Sequence, residues 1–122
     1  MQINLLADSF SVYQVADLKK INLVKPMFIG ITNDELSIVS PTPRVPEETV
    51  NREDNWKVFQ IQGVLDFGLV GILAKISSVL AENNISIFAI STYNTDYILV
   101  KEYVCNKAVE ILRTQKYEVL EL

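Results

Sequence analysis

The residues best suited to chemistry in this chain are Asp66, Phe67, Gly68, Leu69, Val70 and Gly71, which join what reads as a strand end to the opening of a helix. The first N–H groups of a helix have no intrahelical partner, and the helix dipole is positive there. Such a turn offers main-chain donors to a carboxylate or a phosphate. Glycines at Gly68 and Gly71 would let an anion approach the backbone closely. Plain capping by Asp66 or Gly68, with close helix packing at Gly71, explains the same six residues equally well. A second polar concentration runs from Ser91 through Thr92, Tyr93, Asn94 and Thr95 to Asp96. Turn chemistry accounts for it by itself. Facing a cleft, the Asp96 carboxylate would instead hold an ammonium group through a charge-assisted hydrogen bond.

Catalysis has poor material here. The chain contains no histidine, no Gly-rich phosphate loop and no metal-binding cysteine pair. Its one cysteine, Cys105, has no base beside it in sequence and is expected to pack a helix, as free cysteines usually do. The carboxylate pairs Glu47-Glu48 and Glu53-Asp54 lie in a Pro-flanked stretch where charge normally means solvation. A net charge of −4 and a lone adjacent basic pair, Lys19-Lys20, argue against nucleic acid as the main partner, which needs clustered Lys and Arg. The start, Met1-Gln2-Ile3-Asn4, lacks the pattern of a secretory signal, and no apolar run approaches the roughly 20 residues of a membrane-spanning helix. A cytoplasmic protein that does not engage a membrane is expected.

With 49% hydrophobic and 21% charged residues, the 122-residue chain can bury a core. Trp56 to Gly63 reads as a strand. From Leu69, apolar residues at Ile72, Leu73, Ile76, Val79 and Leu80 recur every three or four positions, the mark of an amphipathic helix closed by Asn83-Asn84. Ile85 to Thr92 and Asp96 to Glu102 read as a hairpin. A helix carrying Val104, Ala108, Ile111 and Leu112 follows, with a last strand over Tyr117 to Leu122. The order is βαββαβ, an α+β ferredoxin-like unit in which two helices cover one face of a four-stranded sheet.

The first half repeats the second imperfectly. Val12-Tyr13-Gln14-Val15 resembles Val58-Phe59-Gln60-Ile61, 46 residues on. Phe28 to Thr32 resembles Phe88 to Thr92, and Leu36 to Val39, after Asp34, resembles Tyr97 to Val100, after Asp96, at offsets near 60. The growth in offset is about one helix, so the earlier copy is expected to lack most of one, keeping only a connector over Ala16 to Lys25. Pro41, Pro43 and Pro46 mark the seam, with Val45 to Asp54 as a polar connector. The expected division is a degenerate unit over 1–50 and a complete one over 51–122.

Leu65 to Ala74 and Ile85 to Glu102 resemble the small bacterial ACT-domain proteins related to CASTOR-type arginine sensors and to the regulatory ACT domains of aspartate kinases. Glu35 to Val39, with Arg44-Val45-Pro46, resembles the first copy of that group. The resemblance implies an allosteric amino-acid-binding module, often a homodimer, with arginine or another amino acid held between ACT units and an enzyme as the regulated partner. It implies that main-chain amides of Asp66 to Gly71 meet the ligand's carboxylate, and that Ser91, Thr92 and Asp96 add contacts. The chain departs from the kinases in having no kinase domain, and from the animal sensors in having half their ACT-like units. Catalytic residues, cofactors and metals are not expected. Two alternatives stand beside this reading: a ligand-free assembly module presenting Trp56 and Val58, and a small transferase.

Overall fold

The computed structural model describes residues 1–62 and 71–122. Its elements are β1 (Gln2–Leu5), β2 (Phe10–Val15), β3 (Phe28–Ile31), β4 (Leu36–Pro41), a 3-10 turn (Thr42–Arg44), β5 (Asn51–Ile61), α1 (Ile72–Glu82), β6 (Phe88–Ser91), β7 (Asp96–Lys101), α2 (Glu102–Thr114) and β8 (Glu118–Glu121). Their contacts group the described residues into two compact units. One comprises Met1–Ala7 with Lys57–Leu122, the other Asp8–Trp56.

The larger unit holds the βαββαβ order with one addition. Its sheet runs β6-β7-β5-β1-β8, because the N-terminal strand β1 is inserted between β5 and β8, antiparallel to the first and parallel to the second. The sheet therefore has five strands where four are expected. Ile3, Leu5, Phe59, Ile61, Ile98, Val100 and Val119 share a core with Ile76 and Leu80 of α1 and with Cys105, Ala108, Val109 and Leu112 of α2. Burying aliphatic side chains of this size contributes roughly 1.5–3 kcal/mol each.

Both helices close in the same way. Ile85 donates its N–H to the Leu80 carbonyl and Asn84 to that of Ala81, around a left-handed Asn84 (φ 61°). Tyr117 donates to Leu112 and Lys116 to Arg113, around a left-handed Lys116 (φ 72°). This is the Schellman arrangement, usually built on glycine. Asn83-Asn84 thus ends α1 as its side chains suggest, whereas the described part of the helix begins at Ile72; Leu69 and Val70 lie outside the described residues.

The smaller unit carries the sheet β3-β4-β2-β5, the strand order of a ferredoxin-like unit without its helices. The connector between β2 and β3 holds no helix, and where the other unit starts α2 this one makes only the 3-10 turn. Pro41 before that turn (φ −54°, ψ 140°) and Lys101 before α2 (φ −64°, ψ 145°) have the same conformation 60 residues apart. The reduction therefore extends past the one helix expected to be missing. Proline at Pro43 and Pro46 withholds the N–H groups a longer helix would need. Leu18, Ile21, Met27 and Val45 instead pack on Tyr13, Val15 and Ile38 of the sheet.

Strand β5 begins at Asn51, within the stretch expected to be a polar connector. Asn51, Arg52 and Glu53 pair with Gln14, Tyr13 and Val12. A bulge follows: Phe10 pairs with Trp56 and Val12 with Glu53, so Asp54 and Asn55 stand opposite Ser11 alone. Asn55 is left-handed there (φ 67°), a conformation asparagine tolerates better than most residues. Residues Asn51 to Trp56 close the sheet of the smaller unit and Lys57 to Ile61 open that of the larger one. Trp56 and Val58 are buried, so they offer no exposed surface for the ligand-free assembly reading.

Candidate functional site

Of the six residues at the strand-to-helix turn, Asp66, Phe67, Gly68, Leu69 and Val70 lie outside the described residues. Gly71 is the N-cap of α1, with φ 86° and ψ 5°. A side chain is strained in that conformation. Among the described residues a Cβ built at Gly71 would meet nothing within 4 Å, so what calls for glycine there is its backbone conformation. It also has no side chain with which to cap the first N–H groups of an eleven-residue helix.

Ser91, Thr92 and Asp96 come together at the end of the β6–β7 hairpin. Ser91 and Asp96 are cross-strand partners, and the Ser91 hydroxyl donates to Asp96 Oδ1 at 2.5 Å. The Thr92 N–H donates to the Thr95 carbonyl at 2.9 Å, and the Thr92 hydroxyl to the same oxygen at 3.0 Å. Thr95, part of the same polar run but not among the expected ligand contacts, is buried and donates its hydroxyl to the Ile61 carbonyl at 2.8 Å. That bond sets the hairpin end beside the strand from which the chain runs through Gln62 toward residues 63–70. The groove that Gly71 itself lines, with Lys75, Ser78, Gln115 and Tyr117, takes in none of Ser91, Thr92 or Asp96.

The hairpin of the smaller unit separates turn chemistry from what is added to it. There, 60 residues earlier, Thr32 N–H donates to the Glu35 carbonyl at 3.0 Å, and the N–H groups of Asp34 and Glu35 donate to the Thr32 hydroxyl at 3.2 and 3.1 Å. One threonine closes each turn. The cross-strand pair flanking it is Ile31–Leu36 in the smaller unit and Ser91–Asp96 in the larger. The turn can be made without a carboxylate at that place, so its geometry does not account for Ser91 and Asp96.

Among the described residues no helix is long and apolar enough to cross a membrane. Cys105 lies buried on α2, as its expected packing role requires, and burial pushes its thiol pKa up, with the Lys57 ammonium opposing and Glu121 and Glu102 adding to the rise. Such a thiol is a poor nucleophile.

The two-helix, βαββαβ arrangement is that of an α+β ferredoxin-like fold. A family model for the ACT domain matches residues 51–114, and the chain belongs to that family. ACT domains are regulatory modules that often bind amino acids. Comparison with curated proteins finds no match. Among solved structures, the chain is similar to a protein from Agobacterium tumefaciens at 27% identity and a TM-score of 0.88, covering 99% of this chain and 92% of that one. It is similar in fold to a Vibrio cholerae protein of unknown function at 19% identity and a TM-score of 0.73, covering 93% and 88%. The regulatory subunit of aspartate kinase from Thermus thermophilus, in its ligand-free form, has the same fold at 10% identity and a TM-score of 0.65, covering 93% and 96%.

Proposed function

We propose that this protein is an amino-acid-responsive regulatory module that does no chemistry of its own and works in the cytoplasm. The supporting observation is the asymmetry between the hairpins: a Ser–Asp pair stands where the sister hairpin carries Ile–Leu. In this reading Asp96 receives the ammonium group of a free amino acid, arginine or another, with Ser91 and Thr92 beside it. The ligand's carboxylate rests on main-chain donors within Asp66 to Gly71. The likeness of residues 65–74 and 85–102 to CASTOR-type arginine sensors belongs to the same reading. So do the two ACT-like copies, a degenerate one within 1–50 and a complete one within 51–122. Binding shifts the equilibrium of a homodimer, or of a complex with a regulated enzyme, because the ligand has different affinity for the two states.

Calorimetry on the purified full chain against the common amino acids tests this. One of them should bind, and Asp96→Ala should weaken binding by tenfold or more, about the 1.4 kcal/mol or above that a lost charge-assisted bond implies. Gly71→Val should weaken it as well, by straining the turn. Absence of binding to every amino acid, or binding indifferent to Asp96→Ala, would overturn the reading.

A further inference from the structure

The smaller unit contains a cavity of about 180 Å³ where β2 ends and the connector begins. Val15, Ile21 and Pro46 give it apolar walls, and Asp17, Lys20 and Glu48 stand around it. Its walls are anchored independently of any ligand. The Lys19 N–H donates to Asp17 Oδ1 at 2.9 Å and the Ile21 N–H to the Leu18 carbonyl at 3.1 Å, forming one wall. The Val50 N–H donates to the Gln14 carbonyl at 2.8 Å and holds the other.

Size and charge restrict what fits. The volume lies below the roughly 300–1,000 Å³ of sites for drug-sized ligands, so only a small metabolite is accommodated. Two carboxylates and one ammonium leave the rim with a net negative charge. One ammonium already lies close: Lys20 Nζ is 3.7 Å from Glu48 Oε1, and both side chains are mostly exposed. Exposed pairs at such a distance are weak and exchange readily. We infer that this cavity is a binding site for a small aliphatic amine, whose ammonium takes the place of Lys20 at Glu48 while its hydrocarbon body rests on Val15, Ile21 and Pro46. The site uses only residues of Asp8–Trp56. It is therefore independent of the proposed contacts at Gly71 and Asp96, and either proposal can fail without the other.

The distinctive consequence is competition, because removing Lys20 should improve binding. Backbone amide NMR of the full chain, titrated with n-butylamine to concentrations on the order of 10 mM, should shift the signals of Val15, Ala16, Ile21 and Val50. Lys20→Gln should tighten the amine by about threefold and Glu48→Gln should weaken it by about as much, the scale of an exposed ion pair. Val50→Trp should abolish the response by filling the cavity, and Val50 is exposed enough to accept the larger ring. Isovalerate, an anion of similar size, should leave the same signals unmoved. Four results would overturn the proposal: shifts confined to other residues, no shift at all, equal response to isovalerate or to zwitterionic leucine, or unchanged affinity in Lys20→Gln.

Discussion

The two units use one strand order and solve the problem of covering the sheet differently. In the larger, Phe59 and Ile61, with Ile98 and Val100, lie under two amphipathic helices. In the smaller, Tyr13, Val15 and Ile38 lie under Leu18, Ile21 and Met27 of an irregular connector and under Val45. A helix satisfies its own backbone polar groups and so can present an unbroken apolar stripe, whereas an irregular segment offers side chains singly. The difference teaches that a ferredoxin-like sheet can outlast its helices when a few residues, here Leu18, Ile21 and Met27, still shield its face.

Core truncation should break the two units unequally. Leu80→Ala removes a side chain with no exposed surface from α1 and should cost about 2–5 kcal/mol in a denaturant titration. Leu18→Ala, in the half-buried cover of the smaller unit, should cost about 1 kcal/mol. Equal costs would mean that the connector is packed as tightly as a helix, and the contrast would fail.

A subtler contrast lies inside the sheets. Tyr13 and Ser40 share a buried hydrogen bond of 2.8 Å, while Phe59 and Val100, at the corresponding places of the other copy, are apolar. Tyr13→Phe leaves the Ser40 hydroxyl short of that partner and should cost about 1–2 kcal/mol. The double change Tyr13→Phe with Ser40→Val rebuilds the sister pairing and should recover most of that loss, a coupling readable from a double-mutant cycle. Additive losses would show that the copies are not interchangeable at this point.

The smallest effect concerns Cys105, for which the smaller unit has no counterpart. Its thiol pKa is raised by burial, so the folded chain keeps the proton after the unfolded chain has lost it. Stability from this group is fully present below the ordinary thiol pKa and declines as pH rises through and beyond it. Cys105→Ala should flatten that decline in thermal melts taken from neutral to alkaline pH.

Much of this was legible in the residues, and the failures have physical causes. Both hairpins could be read because alternation, turn residues and offsets near 60 agree. Strand β1 could not, because four residues pairing in parallel with a strand at the other end of the chain leave no local signal. Asn51 to Asp54 read as solvated connector because those polar side chains lie along a strand largely facing water, and the bulge at Asn55 interrupts the alternation. At the site, Ser91, Thr92 and Asp96 were recognisable as a polar turn. Thr95 belonged to the same polar run, but its anchoring role could not be read, since its partner is a main-chain carbonyl 34 residues earlier and no side-chain pattern announces it. Gly71 was noticed for its type, and only its backbone angle shows why that type is needed.

The insertion of β1 between β5 and β8 has a bearing on biosynthesis. Once Trp56 has left the ribosome, everything needed for the Asp8–Trp56 sheet is available, so that unit can form while the remainder is still being made. Met1 to Ala7, by contrast, belong to a unit whose other residues all follow Trp56 in sequence. Strand β1 has both of its neighbours only when Lys57 to Ile61 stands on one side and Glu118 to Glu121 on the other, so its pairing with β8 closes a contact of very high sequence separation, the kind that forms slowly.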